Sequence, residues 1–588
     1  QFKIDYLPRT EVKPASIAMF GQPVTCLLLY DSGQEGTDQV KEQFDQILLD
    51  MKVGAQAVDV RTTALTSLPE FSQYQTVVVL MSNLDALGKR LIDLMNWVQN
   101  GGSVLFAMTP DKTTYFDAIS QKLGVQSSAW EYKMAESIVP SEDFMLGGGQ
   151  RYELSDPFES ALSVSLREDT TVYARTGDEG VPLVWEHSSG SGRVVVDNIG
   201  IYDKVLRGVY AASYSLLCDA TAYPVINGAV FYLDDFPSPV PGGDGTYIRR
   251  DYSMSTADFY SKVWWPDLMK LSQKYSIRFT GVMIENYEDD TVDAPTRQPD
   301  TQQFRYFGSL LLRQGGEVGY HRRVLFRSVG YHGYNHQPLV LPDTDYKDLY
   351  SYRQWPGEDA IVAAMDELVA FQKTVLPHTN GSVYVPPSNI LSAAGRQVLG
   401  SKVPQIRTIA STYFEDGTDL PYVQEFGVAS DGMVEQPRIV SGGMVGDTYM
   451  RLAAMNELNM HYVSTHFMHP DDLLDVDRGA EEGWEVYKGG FEDYLKWLSA
   501  AAPDLRKQTG TECAGAIQRY SQLTVTTEST PTEWTLTLGN FVDEGWLFFR
   551  VNEGTPGRVT GGELTNLTGN LYLLKANADT IHIEKKGA

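Results

Sequence analysis

The chain has 588 residues, and its 48 Lys and Arg against 76 Asp and Glu give a formal net charge of −28. This acidic balance argues against a nucleic-acid-binding protein, because phosphate contacts need a clustered basic surface. Hydrophobic residues make up 42% of the chain, which is enough for packed cores and indicates a globular protein. At roughly 150 residues per domain, the length predicts several domains.

The start of the chain and its cysteines do not identify the compartment. The chain begins with Gln1 and not with methionine, so we expect that the N-terminus has been trimmed and that any signal or membrane anchor belonged to the removed segment. No apolar run approaches the roughly 20 residues that span a bilayer. The cysteines Cys26, Cys218 and Cys513 are odd in number and far apart, which indicates neither a disulfide framework nor a cysteine metal site.

Residues 1–224 form the first predicted unit. Apolar runs between residues 24 and 108 predict four strands, separated by helical patterns that include 36–52 and 86–99. Alternating strands and helices are typical of a mostly parallel sheet with helices on both faces. In this pattern the unit resembles flavodoxin-like and class I amidotransferase-like domains.

This first unit lacks the residue that amidotransferase chemistry needs. An amidotransferase carries a nucleophilic cysteine on a sharp turn after a strand, whereas the turn after Met108 reads Thr-Pro-Asp-Lys. Cys26 lies within the first predicted strand, where a buried and inert thiol is expected. We therefore expect the unit to be catalytically silent.

Two further units follow. Strand patterns that alternate with helical patterns over residues 225–520 predict a (β/α) barrel, complete or distorted, with its chemistry at the carboxyl ends of the strands. Residues 521–588 alternate with a period of two between Gly and Asn turns, which predicts a small antiparallel β-sandwich. The expected fold class is α/β multidomain: a flavodoxin- or amidotransferase-like domain, a (β/α) barrel that is complete or distorted, and a C-terminal β-sandwich.

A repeated tetrapeptide lies within the predicted barrel. Val-Gly-Tyr-His occurs at 318–321 and again at 329–332, with a heptapeptide between the copies. Residues 322–332 are either an artefact of sequence assembly, which we favour, or a natural insertion. On the first interpretation His321 and His332 are alternative copies of one residue.

Histidines are concentrated in the predicted barrel. Of the nine in the chain, His332 pairs with His336, and His461, His466 and His469 form a second group. The spacing His-x-x-x-His places two imidazoles on one face of a turn or helix, as a zinc-like ion requires. A carboxylate from elsewhere in the chain would complete a three-ligand site with open positions for water and substrate.

The adjacent Asp234 and Asp235 are the candidates for that carboxylate. They directly follow an apolar strand pattern, and neighbouring side chains at the end of an extended strand point in different directions. One aspartate can therefore bind the metal while the other takes a proton from water as a general base. Taken alone, Asp-Asp before Phe-Pro is also typical of a turn or a helix cap.

These motifs resemble those of a known family. The pentapeptide Leu-Asp-Asp-Phe-Pro around the two aspartates, and the pentapeptide His-Gly-Tyr-Asn-His that begins at His332, resemble the first two motifs of the polysaccharide deacetylase superfamily, the NodB-like carbohydrate esterases. The resemblance implies that Asp234 is the base and that Asp235, His332 and His336 bind the metal, with His321 as the alternative copy. The implied cofactor is Zn²⁺ or another divalent transition metal.

The family's late motif is a histidine at a strand end that protonates the departing amine. Its best match is the run His-Tyr-Val-Ser-Thr-His-Phe-Met-His, in which we favour His466 as the general acid and keep His469 as the alternative. Where the family carries an arginine beside the base, this chain reads Tyr-Val-Pro-Pro, and we expect Arg407 on the next strand to replace that arginine. Asp471 and Asp472 are expected to cap the segment that follows.

The sequence thus predicts a metal-dependent deacetylase that releases acetate from an amino-sugar polysaccharide. The amidotransferase-like first unit and the divergent motifs resemble deacetylases of the Pel and galactosaminogalactan exopolysaccharides. That resemblance implies a bacterial, extracytoplasmic protein, secreted or at the cell surface, that works with exopolysaccharide and biofilm machinery. The acidic charge balance predicts no nucleic-acid partner. Two alternatives stay open: a glycoside hydrolase, which uses two carboxylates and no metal, and a non-catalytic carbohydrate-binding or assembly protein.

Overall fold

The computed structural model describes residues 6–200, 202–313, 329–342, 349–377, 379, 381–443 and 448–587. Within these ranges no helix is both long enough and apolar enough to cross a membrane. The three cysteines of the chain are free thiols.

A mixed sheet forms the N-terminal part of the described chain. Its strands are β1 (Val24–Tyr30), β2 (Gly54–Asp59), β3 (Thr76–Leu80), β4 (Ser103–Phe106), β5 (Val125–Pro140), β6 (Tyr152–Leu166), β7 (Thr171–Arg175), β8 (Pro182–Ser189) and β9 (Gly192–Asp197). They lie in the order β2-β1-β3-β4-β9-β8-β7-β5-β6; the first five strands of that order are parallel, and the remaining pairings are antiparallel. The helices of this part are α1 (Ala15–Ala18), α2 (Thr37–Asp50), α3 (Arg90–Gln99), α4 (Thr114–Ile119) and α5 (Arg207–Tyr214). The strands and helices predicted before residue 108 are observed as β1 to β4, α2 and α3.

The central strands of this sheet are apolar along their length because helices cover both faces. Leu28 of β1 and Phe44 of α2 belong to one buried cluster, whereas Leu27 of β1 and Leu91 of α3 belong to another. Successive side chains of a strand point to opposite faces, so each face has its own core. Cys26 of β1 is fully buried, and burial raises the pKa of its thiol to about 12, in agreement with the inert thiol expected there.

A second sheet follows β10 (Ala220–Val225). Its strands are β11 (Gly228–Asp234), β12 (Phe279–Ile284), β13 (Val329–Gly333), β14 (Val383–Tyr384), β15 (Thr408–Ile409), β16 (Gly427–Val428), β17 (Val434–Glu435), β18 (Val440–Ser441) and β19 (Val463–Met468). Their order is β16-β17-β15-β14-β13-β12-β11-β19-β18, and all pairings are parallel except that of β16 with β17. The helices of this part are α6 (Thr246–Tyr252), α7 (Thr256–Phe259), α8 (Trp265–Tyr275), α9 (Gln302–Arg313), α10 (Glu358–Val375), α11 (Ala393–Lys402), α12 (Thr448–Met460), α13 (Trp484–Ala501) and α14 (Gly510–Gln522). The alternation of strands and helices predicted for this region is therefore observed, on a sheet that curves into a half-barrel.

Residues 434–441 connect the two sides of the half-barrel. The backbone N–H of Gln436 donates to the carbonyl of Ile409 in β15, whereas the N–H of Ile439 donates to the carbonyl of Thr465 in β19. β17 and β18 therefore belong to one extended segment that pairs with strands on opposite sides. The carboxyl ends of β11, β13 and β19 face the same opening, which is where parallel barrels carry their chemistry.

Two antiparallel sheets form the C-terminal part. Their further strands are β20 (Thr524–Ser529), β21 (Glu533–Gly539), β22 (Gly545–Val551), β23 (Thr555–Thr560), β24 (Gly562–Thr568), β25 (Leu571–Ala576) and β26 (Thr580–Lys586). The strand orders are β10-β22-β25-β24 and β20-β21-β26-β23. Trp534 and Ile581 of the second sheet share a buried core with Leu547 and Phe549 of the first, as in a β-sandwich. The boundary predicted at residue 224 falls inside β10, which pairs with β22 and so belongs to the C-terminal sheets.

A buried ionic cluster joins the first part of the chain to the half-barrel. The Nε2 atom of His461 is 3.0 Å from Asp50 Oδ2 at the end of α2, and its Nδ1 atom is 2.6 Å from Glu457 Oε2 in α12. Burial lowers the pKa of the imidazole, but the two carboxylates outweigh burial and raise the pKa of His461 to about 9. An imidazolium shared by two buried carboxylates therefore connects α2 with α12.

We expect His461→Gln to lower the free energy of unfolding at pH 6 by about 3–5 kcal/mol, because two buried carboxylates lose their common cation. The contribution of His461 is complete below pH 6.5, the ordinary pKa of histidine, and is lost as the pH rises towards 9. Urea unfolding of wild type and variant at pH 6 and at pH 9 measures the loss of stability and its dependence on pH. His582→Gln is the matched control, since His582 pairs with Glu533 at the surface and contributes less than about 1 kcal/mol. Equal destabilisation by both substitutions would contradict the prediction.

Candidate metal centre and active site

Two adjacent aspartates end strand β11. Asp234 is the last residue of the strand and is 1% exposed. Asp235 has a left-handed backbone conformation, with φ of 54°, so the chain turns sharply there. The two carboxylates consequently point to different neighbours: Asp234 faces Arg438, and Asp235 faces a pair of histidines.

That pair of histidines comes from the end of β13. His332 is buried, and its Nδ1 atom lies 2.7 Å from the carbonyl oxygen of Val385. Nδ1 must donate this hydrogen bond because a carbonyl only accepts, so Nε2 keeps its lone pair. Positive φ angles at Gly333 (116°) and His336 (58°) turn the chain back on itself after β13. The imidazole centroids of His332 and His336 are consequently 5.0 Å apart. His321, the alternative copy, lies outside the described residues.

Asp235, His332 and His336 converge on one point. Asp235 Oδ1 is 3.3 Å from His332 Nε2 and 3.8 Å from His336 Nε2. Among the residues described, neither Asp235 Oδ1 nor His332 Nε2 has a hydrogen-bond partner, although both atoms are buried. Burial lowers the pKa of His332 to about 4 and that of His336 to about 3, so both rings are neutral at pH 7. Two neutral imidazoles and a carboxylate fit the donor preferences of Zn²⁺ and similar divalent ions.

A buried arginine holds Asp234. Arg438 Nη1 donates to both carboxylate oxygens of Asp234, at 2.6 and 2.7 Å, and Arg438 Nη2 donates to Asn389 Oδ1 at 3.2 Å. The guanidinium also lies 3.9 Å from the ring centroid of Phe467. Burial would raise the pKa of the Asp234 carboxyl group, but Arg438 and two histidines outweigh burial and lower it to about 2. Asp234 is therefore ionised at physiological pH.

Arg407, the residue that the sequence suggested for this contact, lies elsewhere. Its Nη2 atom donates to the carbonyl of Leu7 at 3.0 Å, and its guanidinium lies 4.0 Å from the ring centroid of Tyr6. Arg407 precedes β15 and so belongs to the amino end of that strand, whereas the aspartates lie at a carboxyl end. The expectation for Arg407 is corrected: Arg438 pairs with Asp234. The sequence carries only a weak signal for Arg438, a single arginine before an apolar pair.

His469, and not the favoured His466, lies beside the aspartates. β19 extends to residue 468, and His469 directly after it has Nε2 3.4 Å from Asp234 Oδ2. His466 is inside β19 and faces α13: its Nε2 lies 2.8 Å from a backbone carbonyl, and its ring centroid is 4.7 Å from that of Phe491. The structure thus brings the alternative histidine to the site, because the strand continues beyond the position at which the sequence predicted its end.

Asp472 faces the other side of the His469 ring. It lies in the 3₁₀ turn Pro470–Leu474, with Oδ1 3.6 Å from His469 Nδ1. Its Oδ2 accepts the backbone N–H of His469 at 3.2 Å and the hydroxyl of Tyr487 at 2.5 Å. Asp472 therefore caps the turn, as expected, and also contacts the imidazole, which the sequence did not indicate. Burial lowers the pKa of His469, but Asp472, Asp234 and Asp235 outweigh burial and raise it to about 9.

A second group of donors fits a metal ion less well. Asp234, His332 and His469 also offer ligand atoms within 4.8 Å of one another. However, both oxygens of Asp234 already accept hydrogen bonds from Arg438, and His469 is protonated at pH 7. The group around Asp235 is therefore the one that could hold a divalent ion.

The chain matches one family model over residues 14–173 and 154–573, and the family is described as an uncharacterised protein conserved in bacteria, DUF2194. The chain belongs to this family. No curated protein sequence matches it.

The solved structures that resemble this DUF2194 protein are distant. The exo-β-1,4-mannosidase Op5Man5 from Opitutaceae bacterium strain TAV5 is 18% identical with a TM-score of 0.24, and the match covers 33% of each chain. A β-galactosidase from Bacillus circulans sp. alkalophilus is 12% identical with a TM-score of 0.25, over 36% of this chain and 34% of its own. A Mycobacterium smegmatis protein provisionally described as a polysaccharide deacetylase is 13% identical with a TM-score of 0.29, over 50% of this chain and 91% of its own. The chain spans about a third of the first two proteins, and likenesses this weak leave the activity to be argued from the site.

We expect Arg438→Met to lower the free energy of unfolding at pH 7 by about 3–5 kcal/mol, because it removes the main counter-charge of the buried Asp234 carboxylate. The ion pair contributes only while Asp234 is ionised, so the difference from wild type should narrow as the pH falls from 3.8 towards 2. Urea unfolding over this pH range measures both effects. Arg407→Met is the control, and we expect it to lower the free energy of unfolding by less, with no narrowing of the difference from wild type between pH 3.8 and 2. The same dependence of unfolding free energy on pH in both variants would contradict the prediction.

Proposed function

We propose that this DUF2194 protein is a metal-dependent N-deacetylase that removes acetyl groups from an amino-sugar polysaccharide. One observation carries the proposal: donor atoms of Asp235, His332 and His336 converge beside an ionised Asp234 and a protonated His469. Among the described residues, the buried atoms Asp235 Oδ1 and His332 Nε2 have no hydrogen-bond partner. A site with one base, one acid and room for a divalent ion has the groups that amide hydrolysis needs.

Asp235 and the two histidines would hold the cation. Zn²⁺ bound there would supply a Lewis acid for the acetyl carbonyl and lower the pKa of water towards 7. Val385 prepares the donor set, because its carbonyl fixes the His332 proton on Nδ1 and leaves Nε2 as the ligand atom.

Asp234 would receive the proton of the attacking water. Arg438 keeps this carboxylate ionised and fixes both of its oxygens through Nη1, so the base has one orientation. His469, with a proton on Nε2, lies 3.4 Å from Asp234 Oδ2 and would act as the acid. As the bond between the acetyl carbon and the nitrogen breaks, the nitrogen takes the proton of His469, and the products are acetate and the free amine.

The substrate class and an extracytoplasmic location rest on a different kind of support. They follow from the resemblance of the Asp-Asp and His-x-x-x-His motifs to those of polysaccharide deacetylases, since the geometry supports hydrolysis with an acid and a base and carries no information about the sugar. The proposal therefore has two parts, the reaction and the polymer, and each is tested with its own substrates.

We expect the purified protein to bind about one Zn²⁺ per chain, and chelation to stop acetate release from N-acetylated amino-sugar oligomers. Asp235→Asn should weaken Zn²⁺ binding by at least about tenfold because it removes a ligand. Asp234→Asn should keep the metal and abolish turnover, because it removes the base. Calorimetric titration with Zn²⁺ and an acetate assay measure these outcomes. Release of reducing ends that is insensitive to chelation would indicate a glycoside hydrolase, and absence of metal binding would remove the proposed mechanism.

We expect His469→Gln to lower kcat for the amide by about 10²–10⁴-fold, the usual contribution of a general acid. His466→Gln should change kcat by less than about tenfold, because that ring packs against α13 and not against the aspartates. Steady-state kinetics of both variants with the same N-acetylated oligomer decide which histidine is the general acid. A larger loss in His466→Gln would return the role of acid to His466.

A further inference from the structure

Tyr487 occupies a position with little freedom. It lies at the start of α13, is 3% exposed, and its ring stacks on that of Trp484 with centroids 5.7 Å apart. The backbone of Gly443 packs directly on it: a Cβ atom at Gly443 would lie 2.4 Å from the carbonyl oxygen of Tyr487 and 2.5 Å from its Cγ. Gly490, one turn further along α13, is equally close, since a Cβ there would lie 1.9 Å from the carbonyl oxygen of Gly443. The ring of Tyr487 is therefore held from two sides.

The hydroxyl of Tyr487 ends a line of polar contacts that leads to the candidate site. It donates to Asp472 Oδ2 at 2.5 Å, and the carboxylate can only accept. The other oxygen, Asp472 Oδ1, faces His469 Nδ1 at 3.6 Å, and His469 Nε2 faces Asp234 Oδ2 at 3.4 Å. Tyrosine, aspartate, histidine and aspartate thus follow one another from α13 to the end of β11.

The direction of the His469 ring depends on this line. With Nδ1 turned to Asp472, Nε2 is the nitrogen that faces Asp234; a carboxylate that orients a catalytic imidazole in this way acts through geometry and not through proton transfer. Arg478 also approaches Asp472, with Nη1 3.4 Å from Oδ1, but its side chain is 45% exposed and so restrains the carboxylate less. The hydroxyl of Tyr487 and the backbone N–H of His469 both donate to Oδ2, and the buried hydroxyl is the side-chain contact that fixes the rotation of the carboxylate.

We propose that Tyr487 is a positioning residue for the reaction, which through Asp472 keeps His469 Nε2 directed at the nitrogen that leaves. This inference rests on the proposed deacetylation. A misplacement of about 1 Å in a catalytic group can cost about 100-fold in rate, so a residue two contacts away from the substrate can still limit turnover.

The test compares two substrates that differ in their need for an acid. An amide releases an amine that must be protonated, whereas 4-nitrophenyl acetate releases a phenolate that leaves without a proton. We expect Tyr487→Phe, which removes only the hydroxyl, to lower kcat for the N-acetylated oligomer by about 10–100-fold with KM unchanged. The rate with 4-nitrophenyl acetate and the Zn²⁺ content should change by less than about twofold.

Tyr494→Phe is the matched control. Tyr494 is a buried tyrosine of the same helix, and its hydroxyl bonds to Ser464 and not to Asp472. We expect this variant to keep both rates. Melting temperatures of the two variants report any general loss of structure.

Three outcomes count against these inferences in distinguishable ways. An unchanged amide rate in Tyr487→Phe would overturn the positioning role. Parallel loss of the amide and ester rates would also overturn it, because a merely structural residue affects both. A wild-type protein that binds Zn²⁺ and hydrolyses neither substrate would overturn the proposed function, and the role of Tyr487 with it.

Discussion

The candidate site depends on the buried ion pair between Arg438 and Asp234. Because the guanidinium stabilises the charge of Asp234, that carboxyl group has lost its proton above about pH 2. At its neighbour Asp235, burial has the largest effect, and together with the nearby Asp471 and Asp234 it outweighs His469 and Arg478 and raises the pKa of Asp235 to about 7. Two adjacent carboxyl groups therefore differ in protonation by environment alone, which is the usual sign of a division of roles. Asp235 is the one that a divalent ion would convert fully to a carboxylate.

The same arginine links the architecture to the chemistry. Arg438 lies in the segment 434–441, whose backbone pairs with β15 on one side and β19 on the other. The segment that connects the two sides of the half-barrel thus also carries Arg438, the positive charge that pairs with Asp234 at the end of β11. His469 follows β19 directly. The proposed acid His469, the proposed base Asp234 and the guanidinium of Arg438 are therefore all placed by the pairing of β11, β19 and β18.

The parts of this site that the sequence predicted are local in the chain. Asp234 and Asp235 are adjacent, and His332 and His336 are four residues apart, so short-range geometry is enough to pair them. Arg438 and Tyr487 were missed because their positions depend on sheet closure and helix docking, which no local pattern encodes. The structure places His469 and not His466 beside the aspartates, since β19 continues to residue 468 and directs His466 towards α13. Similarly, the alternation that revealed α2 and α3 contained no sign of the long strands β5 and β6.

The pairing of β10 with β22 has a consequence for how the chain acquires its structure. β10 precedes the half-barrel in the sequence, whereas its partner follows it, so the C-terminal sheets cannot be completed until the ribosome has made the strands that follow the half-barrel. Until then β10 presents an unpaired edge, which is a site for misassociation. A fragment that begins at residue 521 would lack this strand and expose the corresponding edge of β22. The C-terminal sheets therefore depend on a strand from before the half-barrel, and removing them would break the pairing of β10 with β22.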